Sequence, residues 1–290
     1  MSTARAVAGW VNEIAIVMRY NRKALTGVVI VAALVAIALL APVIAPYNPF
    51  DITGSPYEAP SKRHLLGTDD VGHDILSQLI YGTRTSLLVG VLGALGCTAV
   101  GVLIGLVAGF VGGLVDELLM RLTDIVLVLP YIVFIIVLVA YLGPSIWNII
   151  LSITVLGWPS IARMVRSYVL SLKKSLYIEA ARSLGAGNAY IMRRHVLPGI
   201  MPLIIPVYVL TIVDSILTEA GLSFLGLGDP TRPSWGLLLY YAQIRGAFVR
   251  GMWWWILPPG IMITVTGLGF LLLGTGLEEY FNPRLRGEKL

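Results

Sequence analysis

Charged residues, cysteine and histidine are all scarce in this chain. Of its 290 residues only 13% are charged while 57% are hydrophobic, and the mean hydropathy is +0.84. A soluble domain carries about 25% charged residues. The single cysteine, Cys97, excludes an intramolecular disulfide and a thiolate metal site. The histidines His64, His73 and His195 lie far apart, and no two have the spacing of metal ligands on a helix. The sequence therefore predicts no metal site and favours a membrane environment.

Long stretches contain no charged residue at all, namely 24–50, 85–115, 125–162, 195–213 and 251–277. A helix needs about 20 apolar residues to cross a bilayer. Four of the stretches therefore suit one helix each, and 125–162 is long enough for two, hinged at Leu142-Gly143-Pro144. All are too long and too evenly apolar for the alternating strands of a barrel. We predict an all-α membrane protein with six transmembrane helices near 24–46, 86–112, 119–141, 146–165, 199–222 and 254–277.

The arginines and lysines are unevenly divided between the predicted loops. If the N-terminus is cytoplasmic, fifteen lie on the cytoplasmic side and six lie outside, in agreement with the positive-inside rule. We therefore predict that both termini are cytoplasmic. The net charge of +5 follows from this bias and predicts no nucleic-acid partner. The stretch GWVNEIAIVMRYNRK (9–23) has apolar and basic positions at helical spacing. We therefore predict that the N-terminal segment 1–23 is cytoplasmic and lies along the inner membrane surface, ahead of one transmembrane domain formed by 24–290.

Glycine recurs at every fourth position in the second predicted helix, at Gly101, Gly105, Gly109 and Gly113. In a membrane, such a stripe of small residues lets two helices approach closely and gain van der Waals contact. We predict that the stripe packs against another helix of the same chain. Contact with a second transmembrane subunit is the alternative.

Two carboxylates, Asp214 and Glu219, lie within or near the end of the fifth predicted helix. Acids inside a membrane are costly and commonly have a function. We expect each of them to accept hydrogen bonds from a neighbouring helix or to face a water-filled path. Direct contact with a transported substrate is the alternative. A proton-coupled carrier also uses such groups, but the six predicted helices show no clear inverted repeat.

Patterns typical of catalysis do not occur in the sequence. No lysine follows a glycine, so there is no loop of the kind that holds nucleotide phosphates. Gly185-Ala186-Gly187 begins a dinucleotide fingerprint, but Tyr190 stands where the third glycine is required. The stretch from Gly221 to Gly226 misses the spacing of a serine-hydrolase elbow, and no histidine within a span serves as its base. We predict no catalytic residue, no cofactor bound by this chain and no enzyme activity of its own.

The loop 166–198, between the fourth and fifth predicted helices, is unusually polar. Its second part, EAARSLGAGNAYIMRRHVLP (179–198), indicates a short helix, a turn permitted by Gly185 and Gly187, and a second helix that enters the membrane at Pro198. A short helix held between two spans has a suitable shape for docking in a groove of a soluble partner. An ordinary amphipathic connector is equally compatible with these residues.

The same stretch resembles the signature of importer-type ABC transporter permeases, which is Glu-Ala-Ala, three residues, Gly, nine residues, Ile, one residue and Leu-Pro. The matching positions here are Glu179-Ala180-Ala181, Gly185, position 195 and Leu197-Pro198. The one departure is His195, where the general pattern has Ile, and a histidine there resembles the peptide-permease branch. The resemblance implies that Glu179 to Gly187 form a coupling helix that seats in an ATPase subunit.

Three further stretches resemble the dipeptide/oligopeptide/nickel importer family. They are His64 to Asp74, with His73 where the family usually has arginine, Glu219 to Gly228 followed by Pro233-Ser234-Trp235-Gly236, and Leu273-Gly274 to Asn282-Pro283-Arg284. The resemblance implies a type I ABC importer permease fold. It also implies that the chain forms half of a translocation pathway in the bacterial plasma (inner) membrane, surrounded by lipid.

Partners and cargo are implied by the same resemblance. A homologous second permease would complete the pathway, and two ATPase subunits would bind ATP and Mg. An extracytoplasmic substrate-binding protein would contact the outer loops 47–84 and 226–253. The implied cargo is a di- or oligopeptide, with nickel chelate, glutathione or haem as alternatives inside the family. Outside the family, an ion-coupled secondary carrier or an assembly scaffold without transport is the alternative.

Overall fold

The computed structural model describes residues 21–281, whose regular structure is helical except for two isolated β-bridges, Ile52 with His73 and Thr68 with Asp74. The predicted surface segment 1–23 falls almost wholly outside the described residues, as do Asn282-Pro283-Arg284. The helices are α1 (Arg22–Ile44), α2 (Ile75–Val111), α3 (Gly113–Val128), α4 (Tyr131–Leu142), α5 (Ile146–Gly157), α6 (Pro159–Leu172), α7 (Leu176–Ser183), α8 (Asn188–Ile191), α9 (Leu197–Leu222), α10 (Trp235–Ile244) and α11 (Trp253–Phe281), with π-helical segments Met192–Val196 and Ser223–Leu227 on either side of α9.

Up to six elements of the described chain are apolar and long enough to cross a membrane. Four are continuous, namely α1, α2, α11 and the helical path Asn188–Leu227, which joins α8, α9 and both π-helical segments. The other two are bent pairs, because α3 and α4 meet at 87° and α5 and α6 meet at 43°. The all-α fold with six candidate spans agrees with the prediction. The side of the membrane on which each terminus lies stays a prediction.

The two bends interrupt helices that the sequence predicts to be continuous, 119–141 and 146–165. The first bend lies at Leu129-Pro130, where Leu129 has an extended backbone with φ −70° and ψ 132°. The residue before a proline is disfavoured in the helical region, and proline has no N–H to donate. The second bend lies at Trp158, directly before Pro159, which begins α6. Each break therefore coincides with a proline.

The helix that contains the second predicted span, 86–112, begins at Ile75, ahead of the span. Asp74 caps the helix by accepting a hydrogen bond from the Ser77 N–H at 2.8 Å. The charge-free run starts later than the helix because Arg84 lies inside the helix, where its side chain is exposed. At 37 residues, α2 is about 55 Å long. It therefore extends well beyond the hydrocarbon core of a bilayer, which is about 30 Å thick.

The central helix of the fold is α2, which packs against α1, α5, α6 and α9. Its contact with α6 contains the glycine stripe. A Cβ atom added at Gly101 would lie 2.7 Å from the Ile161 Cβ, and one at Gly105 would lie 2.8 Å from the Val165 Cβ. Gly109 approaches α6 equally closely. Because side chains do not fit at such distances, the three glycines allow α2 and α6 to touch, and their stripe faces a helix of the same chain.

Gly113 does not belong to this stripe, contrary to the prediction. α2 ends at Val111, and the next two residues, Gly112 and Gly113, have φ values of 75° and 59°. These lie in the left-handed region, which glycine adopts without steric cost. No atom lies within 4 Å of a Cβ built on Gly113. Gly113 therefore serves the turn between α2 and α3 and does not pack against a helix.

Ion pairs hold α3 against α6 beyond this turn. The Arg166 guanidinium donates two hydrogen bonds to the Asp116 carboxylate, at 2.5 and 2.6 Å. Arg163 donates to Asp124 at 2.6 Å. Because the Arg166 pair is bidentate, it fixes orientation as well as distance. The first half of the bent α3–α4 pair is therefore tied to α6.

Candidate functional site

Residues 173–196 join α6 to α9 and are called the connecting segment. At its start, Lys173 Nζ donates to the Phe110 carbonyl oxygen at 2.5 Å, in the last turn of α2. Further along, the side chains of Ile178, Ile191 and Val196 are fully buried in the hydrophobic core. The connecting segment is therefore anchored to the bundle at several points.

A Schellman motif ends α7 at Gly185. The Gly185 N–H donates to the Arg182 carbonyl oxygen at 3.0 Å, and the Ala186 N–H donates to the Ala181 carbonyl oxygen at 3.1 Å. Gly185 has a φ of 85°, which favours glycine. The sequence spacing between Glu179-Ala180-Ala181 and Gly185 thus has a local cause, because the Ala181 carbonyl accepts the hydrogen bond that closes the motif. Gly187 has an ordinary φ of −69°, so the prediction that both glycines permit the turn is wrong for Gly187.

His195 lies half-buried within the connecting segment. The centroids of the Tyr177 and Tyr190 rings are 6.2 and 5.8 Å from that of its imidazole. The histidine therefore packs between α7 and α8. Leu197 and Pro198 follow in the first turn of α9, where the absent proline N–H costs least. The helical path does not begin there, since the π-helical segment and α8 extend it back to Asn188.

Much of the remaining connecting segment is exposed and carries large apolar side chains. Leu184 is 88% exposed and Leu176 is 83% exposed. Glu179 and Ala180, on the helix between them, are exposed as well. The Glu179 carboxylate makes no hydrogen bond or ion pair with another described residue. Exposed apolar surface next to polar side chains is typical of a protein interaction site.

A cavity of about 820 Å³ lies between the spans at both helix breaks. Leu129 lines it beside the first break, and Gly157 and Pro159 line it at the second. Non-helical backbone is tolerated inside a membrane where it is buried in protein or lines a cavity. Interrupted helices also surround the substrate sites of many transporters. The cavity is therefore the candidate for a passage through the membrane.

One face of α9 forms a wall of this cavity, through Val207, Thr211, Asp214, Thr218 and Gly221. These positions are three or four residues apart and share one side of the helix. Asp214 is the only charged residue among the described residues that line the cavity. It is exposed, and it makes no hydrogen bond or ion pair with another described residue. From Asp214 to the end of α9 at Leu222 is about 12 Å along the helix.

Glu219 has a different environment from Asp214. It is only 1% exposed, and its carboxylate accepts hydrogen bonds from the Ser223 hydroxyl at 2.7 Å and the Ser86 hydroxyl at 3.2 Å. The Ser86 oxygen accepts a bond from the Trp235 backbone N–H at 3.4 Å. Glu219 thus joins α9, α2 and the start of α10. Of the two carboxylates that the sequence treats alike, Glu219 accepts bonds from a neighbouring helix and Asp214 faces the cavity.

Asp69 organises the loop that precedes α2. Its Oδ1 accepts hydrogen bonds from the backbone N–H groups of Val71, Gly72 and His73, each at 2.9 Å. Its Oδ2 lies 2.7 Å from the His73 Nδ1. Asp69 and His73, two polar residues of the stretch His64 to Asp74, therefore hold the loop in shape, which the sequence alone does not reveal. Within residues 21–281, no three His, Cys, Asp or Glu side chains are placed to hold a metal ion.

The same loop contacts the region between α9 and α11. Asp70 pairs with Arg245 at 3.1 Å, and the Arg250 guanidinium lies 4.2 Å from the centroid of the Tyr57 ring. Burial raises the pKa of the Asp70 carboxyl above its ordinary value, although the positive charge of Arg245 opposes the shift. The segments 45–74 and 228–252 are therefore joined, and we call them together the loop face.

Comparison with known protein families gives two matches. Residues 101–287 match the family described as binding-protein-dependent transport system inner membrane component. Residues 12–60 match the N-terminal TM domain of oligopeptide transport permease C. The first match alone covers more than half of the chain and includes the connecting segment and the α9 wall of the cavity.

Curated proteins resemble the chain over nearly its whole length. It is 35% identical to the dipeptide transport system permease protein DppC of Alkalihalophilus pseudofirmus, over 97% of this chain and 92% of that protein. It is 35% identical to the protein of the same name from Bacillus subtilis, over 93% of this chain and 84% of that protein. The di/tripeptide transport system permease protein DppC of Pseudomonas aeruginosa is 37% identical, over 92% and 90% of the two chains.

Proposed function

Because this chain belongs to the family of binding-protein-dependent transport system inner membrane components, we propose that it forms half of the pathway through which an ATP-driven importer moves peptides into the cell. It is a multi-pass protein of the bacterial inner membrane. The energy for uptake is supplied by two separate ATPase subunits, which bind ATP and Mg, since this chain has no nucleotide-binding loop.

The observation that carries the proposal is the form of the connecting segment. Its buried isoleucines hold α7 to the bundle, while Glu179 and the apolar Leu176 and Leu184 remain exposed. An exposed helix that is anchored in this way transmits the movement of a partner to the spans beside it. The partner that we assign to this surface is an ATPase subunit. In this assignment Glu179 to Gly187 couple ATP binding to movement of the spans.

The cavity supports the second part of the proposal. Its volume of about 820 Å³ falls within the roughly 300–1,000 Å³ that is usual for sites of small molecules. Its wall combines broken helices with the charged side chain of Asp214. A homologous second permease is proposed to face this wall and complete the pathway. Rocking of the two permeases would then open the pathway alternately to each side.

The loop face supports a further partner. Its two segments are held together by the pair of Asp70 with Arg245 and the contact of Arg250 with Tyr57. A preformed surface is well suited to docking without rearrangement. We assign it to an extracytoplasmic binding protein that delivers the cargo. The cargo class, di- or oligopeptides, is taken from the names of the related permeases.

Co-purification followed by reconstitution tests this function. The tagged chain is solubilised in detergent, and mass spectrometry identifies the proteins that accompany it. We expect a second six-span permease and two ATPase subunits. In lipid vesicles with the binding protein, the complex should take up radiolabelled Ala-Ala only when ATP is present, and the isolated chain should hydrolyse no ATP. Recovery of the chain alone, or uptake driven by an ion gradient without ATP, would contradict the proposal and indicate a secondary carrier.

Replacing Gly185 by valine should abolish coupling without unfolding the spans. A β-branched residue at a φ of 85° costs about 1–2 kcal/mol, and the added side chain would change the shape of the exposed end of α7. Gly113→Val is the matched control, because Gly113 is also exposed, has a φ of 59° and has no atom within 4 Å of an added Cβ, but lies in the turn between α2 and α3. Uptake in reconstituted vesicles should be lost in the first variant and retained in the second. Equal uptake by both variants would remove Gly185 from the coupling surface.

A further inference from the structure

Asp214 combines features that a structural carboxylate does not have. It lies within a membrane span, it is exposed to the cavity, and no described residue donates a hydrogen bond to it or pairs with its charge. An ionised carboxylate without a partner in apolar surroundings is costly. Glu219, five residues further on, shows how this fold satisfies a buried acid, with two serine hydroxyls at 2.7 and 3.2 Å. Asp214 has no equivalent among the described residues, so its charge is open to water and to a ligand that enters the cavity.

The surroundings of Asp214 select the chemistry of that partner. No lysine, arginine or histidine is among the described residues that line the cavity. Thr211, one turn earlier on the same face, already donates its hydroxyl hydrogen to the Val207 carbonyl at 2.8 Å. Its oxygen is therefore left to accept a hydrogen bond. The ionised Asp214 carboxylate can likewise only accept hydrogen bonds. Tyr131 and Thr218 add neutral hydroxyl groups to the lining, and Asp214 is the only charge among the described lining residues, so the site favours a cationic ligand over an anion.

We propose that Asp214, with the Thr211 hydroxyl oxygen beside it, binds the N-terminal ammonium group of a peptide in transit. The inference rests on the proposed peptide-import function. An ammonium group has three N–H donors, as the lysine side chain does, and it forms the charge-assisted hydrogen bonds that a lone carboxylate lacks. The apolar remainder of the wall, including Ile132, Leu217 and Leu225, accommodates peptide side chains of varied shape.

Uptake and ATP hydrolysis measured in the same vesicles test the proposal. The complete importer is reconstituted with its binding protein and supplied with radiolabelled Ala-Ala. Asp214→Asn should lower the peptide moved per ATP by about tenfold, the effect expected on loss of a hydrogen bond to a charged group. ATP hydrolysis and recovery of the complex should not change. Asp214→Glu should restore much of the ratio. Glu278→Gln is the control, because Glu278 is exposed near the end of α11, does not line the cavity and makes no hydrogen bond or ion pair with another described residue.

Chemical modification provides a second measurement that depends on charge alone. The chain has one cysteine, Cys97, so Asp214→Cys in a Cys97→Ala background places a single thiol at the site. Sulfonatoethyl methanethiosulfonate adds a negative charge there and should raise the ratio of uptake to hydrolysis. The trimethylammonioethyl reagent adds a positive charge and should not. The same response to both reagents would overturn the proposal.

The outcomes separate this inference from the function on which it rests. If the unaltered complex shows no ATP-dependent uptake of Ala-Ala, the peptide-import function fails and the inference fails with it. If the unaltered complex and Asp214→Asn transport equally well, only the inference is overturned. Loss of the second permease from the purified Asp214→Asn complex would also overturn it, because the carboxylate would then pair with a cation of that subunit.

Discussion

Replacing Glu179 by lysine will abolish ATP-driven uptake and leave the chain folded in the membrane. Glu179 is exposed, and no described residue depends on its carboxylate, so the substitution removes no internal contact. It reverses a charge on the surface that we assign to the ATPase subunit, where opposite charges guide docking and like charges are costly. We expect uptake in vesicles to fall by about a hundredfold, equivalent to about 2.8 kcal/mol.

The same substitution elsewhere on the chain provides the control. Glu278, near the end of α11, is also exposed and has no partner among the described residues. Glu278→Lys should keep its ATPase subunits on purification and should transport peptide, whereas Glu179→Lys should lose the subunits. Normal uptake by Glu179→Lys would refute the coupling role of α7. Equal loss in both variants would indicate a general effect of charge near the membrane.

The number of spans was predictable from the sequence because a bilayer excludes charge over a fixed thickness. The shape of the spans was not. Pro202 and Pro206 lie inside the continuous α9, as Pro258 does inside α11, yet Pro130 and Pro159 coincide with breaks. Proline within a span is tolerated when neighbouring helices satisfy the freed backbone groups. Which prolines interrupt a helix is therefore decided by packing between distant segments, and local sequence does not report it.

The candidate site shows the same division between local and distant causes. The distance from Glu-Ala-Ala to Gly185 reflects a Schellman motif whose hydrogen bonds span only five residues, so a sequence pattern contains it. Asp214 and Glu219 differ in their hydrogen bonds, because Glu219 accepts one from Ser86, which lies 133 residues earlier in the chain. No spacing along α9 distinguishes the two acids. The position of His195 between the rings of Tyr177 and Tyr190 was likewise not predictable, because it depends on how α7 and α8 pack.

Replacing Gly105 by leucine will prevent the spans from packing and will remove most of the folded protein from the membrane. A Cβ at this position would lie 2.8 Å from the Val165 Cβ and 3.0 Å from the Arg166 backbone nitrogen. Both atoms belong to α6, the main packing partner of α2. A backbone atom cannot move aside as the end of a flexible side chain can. Overpacking a core typically costs about 1–3 kcal/mol, and here the leucine side chain must also separate α2 from α6.

Separation of α2 from α6 has consequences on both sides of the contact. The ion pair of Arg166 with Asp116 and the hydrogen bond from Lys173 to the end of α2 both require α6 to stay close to α2. The connecting segment would therefore be displaced together with α6. Gly260→Leu is the matched control, since no atom lies within 4 Å of a Cβ added in that part of α11. Size-exclusion chromatography and thermal unfolding in detergent should show loss of monodisperse protein for Gly105→Leu alone. A stable, monodisperse Gly105→Leu protein would mean that α2 and α6 do not need their close approach, and the glycine stripe would then be free to face a second transmembrane subunit.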